Sequence, residues 1–132
     1  MKISSEQEMI DFGKNFQPKS NVIELIGDVG AGKTTFVRGL AESLGVKENI
    51  TSPSFTVSKA YACKNGQNLI HYDFYRLNNP GIMSEDLIEN INEKNNLVII
   101  EWSDSIKDIL PENHDIINIK YNDDNTREVT LS

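Results

Sequence analysis

The chain has 132 residues, with 20 acidic against 13 basic side chains, a net charge of -7, and 38% hydrophobic residues. Those proportions fit one folded domain, 1–132, with a modest core, and argue against direct nucleic-acid binding, because no two Lys or Arg residues are adjacent to form the required cationic patch. Cys63 is the only cysteine, which excludes an intrachain disulfide or cysteine zinc site, and apolar runs such as 97–100 are far short of the roughly 20 residues of a membrane span.

Ser5 followed by Glu8 reads as a capping box opening a helix, in which Met9, Phe12 and Phe16 recur at helical spacing and Pro18 lies beyond the end. Residues 22–26 form a short, mostly apolar strand of the kind covered on both faces. Glycines follow at 27, 30 and 32, then Phe36, Leu40 and Leu44 mark an amphipathic helix that Gly45 ends. Residues 55–62 and 69–75 read as strands of a hairpin around the Asn65-Gly66 turn signal. Ser84 is placed to cap a helix with Leu87, Ile88 and Ile91 inward, and 97–100 is a second buried strand ending at Glu101. Ile117, Ile119 and Tyr121 alternate, as do Val129 and Leu131, with a polar turn at 122–126 between them. The expected fold is α/β: a mixed sheet like that of P-loop NTPases, with helices on both faces and an inserted antiparallel hairpin.

Gly27-Asp28-Val29-Gly30-Ala31-Gly32-Lys33-Thr34 satisfies every fixed position of G-x-x-x-x-G-K-[ST], with a strand before it and a helix after. Glycines let the backbone wrap around phosphate, and the first helical N–H groups and the helix dipole favour an anion. In that pattern the Lys33 ammonium reaches the β/γ-phosphates and the Thr34 hydroxyl ligates Mg²⁺. The competing reading is a glycine-rich turn with a chance lysine. A phosphate loop also needs a carboxylate near the metal at the end of a buried strand, and Glu101 stands there, where an Asp is commoner; the competing reading is a surface carboxylate at a strand end. Trp102 either packs on the sheet or walls the site. Asp73, in His71-Tyr72-Asp73-Phe74-Tyr75-Arg76-Leu77, either pairs with Arg76 or His71 or orients water or hydrated metal. The hydroxyl-rich Ser52-Pro53-Ser54-Phe55-Thr56 is an ordinary turn or a γ-phosphate-sensing loop, and His114 is expected to be solvated.

The phosphate loop continued to Thr35, the Ser52-Pro53-Ser54-Phe55-Thr56 string, the His71-x-Asp73-x-Tyr75-Arg76-Leu77 string and Glu101-Trp102 occur in an order and spacing that resemble the TsaE (YjeE) family. These are bacterial ATPases needed to form threonylcarbamoyladenosine in tRNA, and the match runs from about Ser5 to Tyr121. The resemblance implies ATP and Mg²⁺ as cofactors, and a reducing cytoplasm is the expected location of a chain with one cysteine and no apolar signal core at residues 1–6. It implies work with TsaB and with TsaD, which modifies adenosine 37, so that tRNA is met only indirectly and no membrane is involved. It implies phosphate and metal roles for Lys33, Thr34 and Thr35, metal and hydrolytic roles for Asp73 and Glu101, and a place beside the nucleotide for Trp102. Base-side contacts would come from the neighbourhoods of Ser5 and Glu6 and of Asn125 and Arg127. The chain departs from the family with Ser54 in place of the usual Thr and with a shorter segment at 78–84.

Other classes fit less well. A small P-loop kinase clamps the transferring phosphate with several arginines, whereas this chain has three, Arg38, Arg76 and Arg127. A regulatory GTPase needs an Asn-Lys-x-Asp string, which is absent. Asp73 and Glu101 speak mildly against a non-catalytic nucleotide-dependent binding module.

Overall fold

The computed structural model describes residues 1–53, 57–75 and 81–132. Its elements are β1 (Lys2–Ile3), α1 (Glu6–Asn15), β2 (Val22–Ile26), α2 (Lys33–Ser43), β3 (Ser58–Ala62), β4 (Asn68–Asp73), α3 (Ile82–Asn92), β5 (Asn96–Glu101), β6 (Asp115–Tyr121) and β7 (Arg127–Leu131). The strands form one sheet in the order β1-β7-β6-β2-β5-β4-β3. The centre, β6-β2-β5-β4, is parallel, and β3, β7 and β1 are added antiparallel at the two edges. The inserted hairpin is therefore β3–β4, turned through Asn65 and Gly66 at φ 64 and 76, the positive values that a tight hairpin turn demands.

The central strands are buried on both faces, which explains their nearly continuous apolar runs. Ile23, Leu25, Leu97 and Ile99 pack beneath α1 and α2 with Met9, Phe36 and Leu40. Val22, Val98, Ile100 and Tyr72 pack on the other face with Leu87 of α3. Helices thus cover both faces, as the sequence predicts. α1 and α2 meet backbone to backbone: a Cβ on Gly39 would fall on the Ile10 carbonyl, and one on Gly13 on the Phe36 carbonyl. The rings of Phe12, Phe16 and Phe36 close the seam, with centroids 5.5 to 6.1 Å apart. This contact brings the start of α1 alongside the start of α2.

Local chemistry departs from expectation in four places. Ser5 Oγ accepts from the Glu8 amide at 3.1 Å, but the Glu8 carboxylate accepts from the Ser4 amide at 2.7 Å instead of returning to Ser5. α3 is capped by Gly81 without a side-chain bond, and the Ser84 hydroxyl instead donates to the Gly81 carbonyl at 2.7 Å. Ile88 points outward, 42% exposed, because Leu87 and Ile91 already fill the contact with the sheet. The two-residue β1 is too short to leave a periodic signal. Ser54, Phe55 and Thr56 of the hydroxyl-rich string, Arg76 and Leu77, and residues 78–80 of the 78–84 segment lie outside the described residues. No described helix is long and apolar enough to cross a membrane.

Candidate functional site

The loop between β2 and α2 has its wrap set by Gly30 at φ 84 and Gly32 at φ 109, where an L side chain is strained. Gly27 is required for a different reason: a Cβ there would lie 2.6 Å from the Ile119 carbonyl of β6. α2 begins at Lys33 with no side-chain cap, so its first N–H groups remain for an incoming anion. Ala31 contributes backbone only, its methyl being buried in the core. Arg127 on β7 braces the loop from outside, its Nε donating to the Ala31 carbonyl at 3.0 Å while its guanidinium lies 4.2 Å over the Tyr121 ring.

Lys33 is only 6% exposed. Its ammonium donates to the Gly27 carbonyl, sits 3.4 Å from Glu101 Oε1, and lies 4.2 Å over the Trp102 ring. The Tyr75 ring also packs against the indole, tilted by 40° with centroids 4.7 Å apart. Glu101 ends β5, and its second oxygen is hydrogen-bonded by His71 Nε2 of the neighbouring β4. Asp73 pairs in register with Glu101 across β4 and β5. Its carboxylate accepts from the Tyr75 amide at 2.9 Å and lies 3.5 Å from the Ser52 hydroxyl. Strand alternation sends Leu69, His71 and Asp73 to the face beneath the loop, which is how the two carboxylates come to lie side by side.

Burial alone would raise the Glu101 carboxyl, but the His71 hydrogen bond and the Lys33 ammonium together hold it below the usual carboxylate range. It is therefore an anion at neutral pH. The sequence offered His71 only as a partner of Asp73; the structure pairs it with Glu101 and buries it completely. What decides this is the register of β4 against β5, which sequence patterns do not reveal.

A cavity of about 770 Å³ collects these groups. Val29, Gly30, Gly32, Lys33, Thr34 and Thr35 form one wall, and Asp73, Glu101 and Trp102 another. Ser5, Glu6, Asn125 and Arg127 lie on its rim, where the start of α1 and the β6–β7 turn converge. Gly27 and Asp28 line a smaller cavity behind the loop. Such a cradle, with free helical N–H groups and one buried ammonium, is suited to a polyphosphate, and a carboxylate beside it at the end of β5 is suited to a divalent cation carried with that phosphate.

One residue thought to be solvated is not. His114 Nδ1 bonds the Pro111 carbonyl at 2.7 Å, and Nε2 lies 3.0 Å from Glu24 Oε1 of β2. Glu24 is 4% exposed on the α3 face of the sheet and also receives the Ser103 hydroxyl and, at 3.4 Å, the Lys107 ammonium. Burial opposes its ionisation, but these partners outweigh burial and lower its proton affinity below the ordinary value. A carboxyl depressed in the fold contributes stability that is present above its unfolded pKa and lost as pH falls through the folded one. Unfolding in urea should therefore show stability declining below about pH 4.5, the ordinary carboxylate value. Glu24→Gln should be less stable than wild type at pH 7 by about 1–3 kcal/mol, with the gap narrowing as acid is added.

A family model described as "Threonylcarbamoyl adenosine biosynthesis protein TsaE" matches residues 3–129. The chain is 35% identical over 130 residues to a Haemophilus influenzae tRNA threonylcarbamoyladenosine biosynthesis protein TsaE, covering 92% of this chain and 82% of the relative. It is 38% identical over 119 residues to the Bacillus subtilis protein of the same name, covering 89% of this chain and 72% of that one. The crystal structure of Bacillus subtilis YdiB superposes with a TM-score of 0.77 at 30% identity, over 99% of this chain and 82% of that chain.

Proposed function

The chain belongs to the TsaE family of threonylcarbamoyl adenosine biosynthesis proteins, and on that premise we propose that it binds and hydrolyses ATP with Mg²⁺ to support TsaB and TsaD in modifying adenosine 37 of tRNA. The observation that carries this reading is the convergence on one cavity of the loop N–H groups, Lys33 and the in-register pair Asp73 and Glu101. In it, the α2 N-terminus and Lys33 hold the phosphates. Lys33 exchanges Glu101 for phosphate as the nucleotide enters. Asp73 orients the attacking water, and the base settles toward the rim of Ser5, Glu6, Asn125 and Arg127.

The donor set fits Mg²⁺. Among the described residues there is no group of three or more His, Cys, Asp or Glu able to hold a metal alone. A carboxylate and a hydroxyl, Glu101 and Thr34, are what a cation needs when phosphate oxygens and water complete its shell. Bound there, Mg²⁺ would neutralise charge developing on the phosphates. The residues do the rest: Lys33 binds, Glu101 and Thr34 orient, and Asp73 holds the water proton.

The net charge of -7 suits a protein that serves tRNA modification without gripping tRNA. The test is reconstitution with tRNA, threonine, bicarbonate, ATP, TsaB and TsaD. Omitting this chain should abolish repeated rounds of modification; undiminished turnover without it would reject the reading.

A further inference from the structure

We propose that Glu24 is a positioning residue that holds the Trp102 turn in its nucleotide-ready conformation. Trp102 has φ 54 and ψ 57, a left-handed conformation that bulky side chains rarely take and that persists only when its surroundings impose it. The turn is fixed at both ends. Ahead of it, Glu101 is pinned by His71, and its carbonyl accepts from the Phe74 amide at 3.1 Å. Behind it, the Ser103 hydroxyl donates to Glu24, and the Ser103 carbonyl accepts from the Ile106 amide at 2.9 Å.

Glu24 lies three residues before Gly27, buried on the Val22 face of β2 and in register with Ile100, where a hydrophobic side chain would pack without the cost of desolvating a charge. Its carboxylate instead joins β2 to Ser103, to Lys107 and to His114, so that one buried group ties the strand feeding the phosphate loop to the segment after β5. A cavity of about 280 Å³ bordered by Glu24, Gly27, Asp28 and Trp102 lies on this side, and the indole also borders the larger cavity. Releasing Ser103 lets the turn relax toward ordinary φ and carries the indole from Lys33 and Tyr75 toward this space. The clamp is thus the difference between a walled phosphate site and an open one. Its functional half rests on the ATP reading above; its positional half does not.

Trp102 is the only tryptophan, so its fluorescence reports this turn alone. Acrylamide quenching without nucleotide should roughly double in Ser103→Ala and Glu24→Leu as the ring loses its covers and gains mobility. Glu24→Gln, which keeps an acceptor for Ser103, should stay near wild type. If release leaves about a tenth of molecules with the turn in place, calorimetry should read ATP affinity about tenfold weaker in Ser103→Ala. Leu87→Ala, a destabilising change beneath α3, should leave quenching unchanged. Wild-type quenching in both Ser103→Ala and Glu24→Leu, or equal quenching in Leu87→Ala, overturns the clamp. Doubled quenching with unaltered ATP affinity overturns its role at the site. Failure of the wild-type protein to bind ATP, with the quenching pattern intact, rejects the ATP reading and leaves the clamp standing.

Discussion

Lys33→Ala should weaken ATP binding by about two orders of magnitude or more. Hydrogen bonds to a charged group contribute about 1.5–3 kcal/mol each, and this ammonium faces more than one phosphate oxygen. The background sharpens the loss: a chain of net charge -7 has no general attraction for a polyanion, so the local field of the loop must supply it. The fold feels the change as well, because Lys33 is buried against Glu101, Trp102 and the Gly27 carbonyl. Removing it leaves Glu101 with His71 as its remaining buried partner, which should lower unfolding stability by about 1–3 kcal/mol. Lys33→Met retains the stem that covers the indole and separates packing from charge. Calorimetric titration with ATP and Mg²⁺, beside urea unfolding of both variants, measures the two effects. Wild-type affinity in either variant would remove the phosphate assignment.

What the sequence made legible was chemistry written in adjacent residues. Gly27 to Thr34 declares a phosphate loop because glycine conformations, helix start and lysine reach are all set within eight positions. Glu101 is readable as a site carboxylate because a buried strand ends on it. The Asn65-Gly66 turn is readable from φ requirements alone. What stayed hidden depends on register and distance. His71 meets Glu101 from 30 residues away only because β4 lies beside β5 in one alignment. Glu24 meets His114 across 90 residues, so a charged residue inside an apolar strand and a histidine in a polar loop each looked ordinary alone. Arg127 lines the cavity, and its guanidinium also donates to the carbonyls of Ala31, Gly30 and Asn125. A long, mobile side chain has many partners within reach, and only the fold selects among them.

Glu101→Gln should reduce phosphate release by about 10²–10³-fold, the usual scale for losing one preorganised charge at a reacting centre. ATP binding without Mg²⁺ should change far less. The geometry makes the split specific. Oε2 is occupied by His71, so Oε1, now paired with Lys33, is the oxygen that remains for a cation once the lysine moves to phosphate. A glutamine can still accept from His71, but either orientation loses the negative charge that Lys33 and Mg²⁺ share. The nucleotide-free variant should therefore lose stability and regain part of it with ATP, whose phosphates give Lys33 a new partner. Asp73→Asn is the companion case: it should lower turnover while leaving the Mg²⁺ requirement near wild type, since its place is beside the Ser52 hydroxyl. None of the three glutamines, Gln7, Gln17 and Gln67, lies in a site string to position water, so turnover by the purified chain should be slow and rise when TsaB and TsaD are added. Phosphate release measured across Mg²⁺ concentration, with and without the partners, checks the set. Fast turnover by the chain alone would overturn the dependence on partners, and full activity in Glu101→Gln would mean that the catalytic carboxylate lies elsewhere.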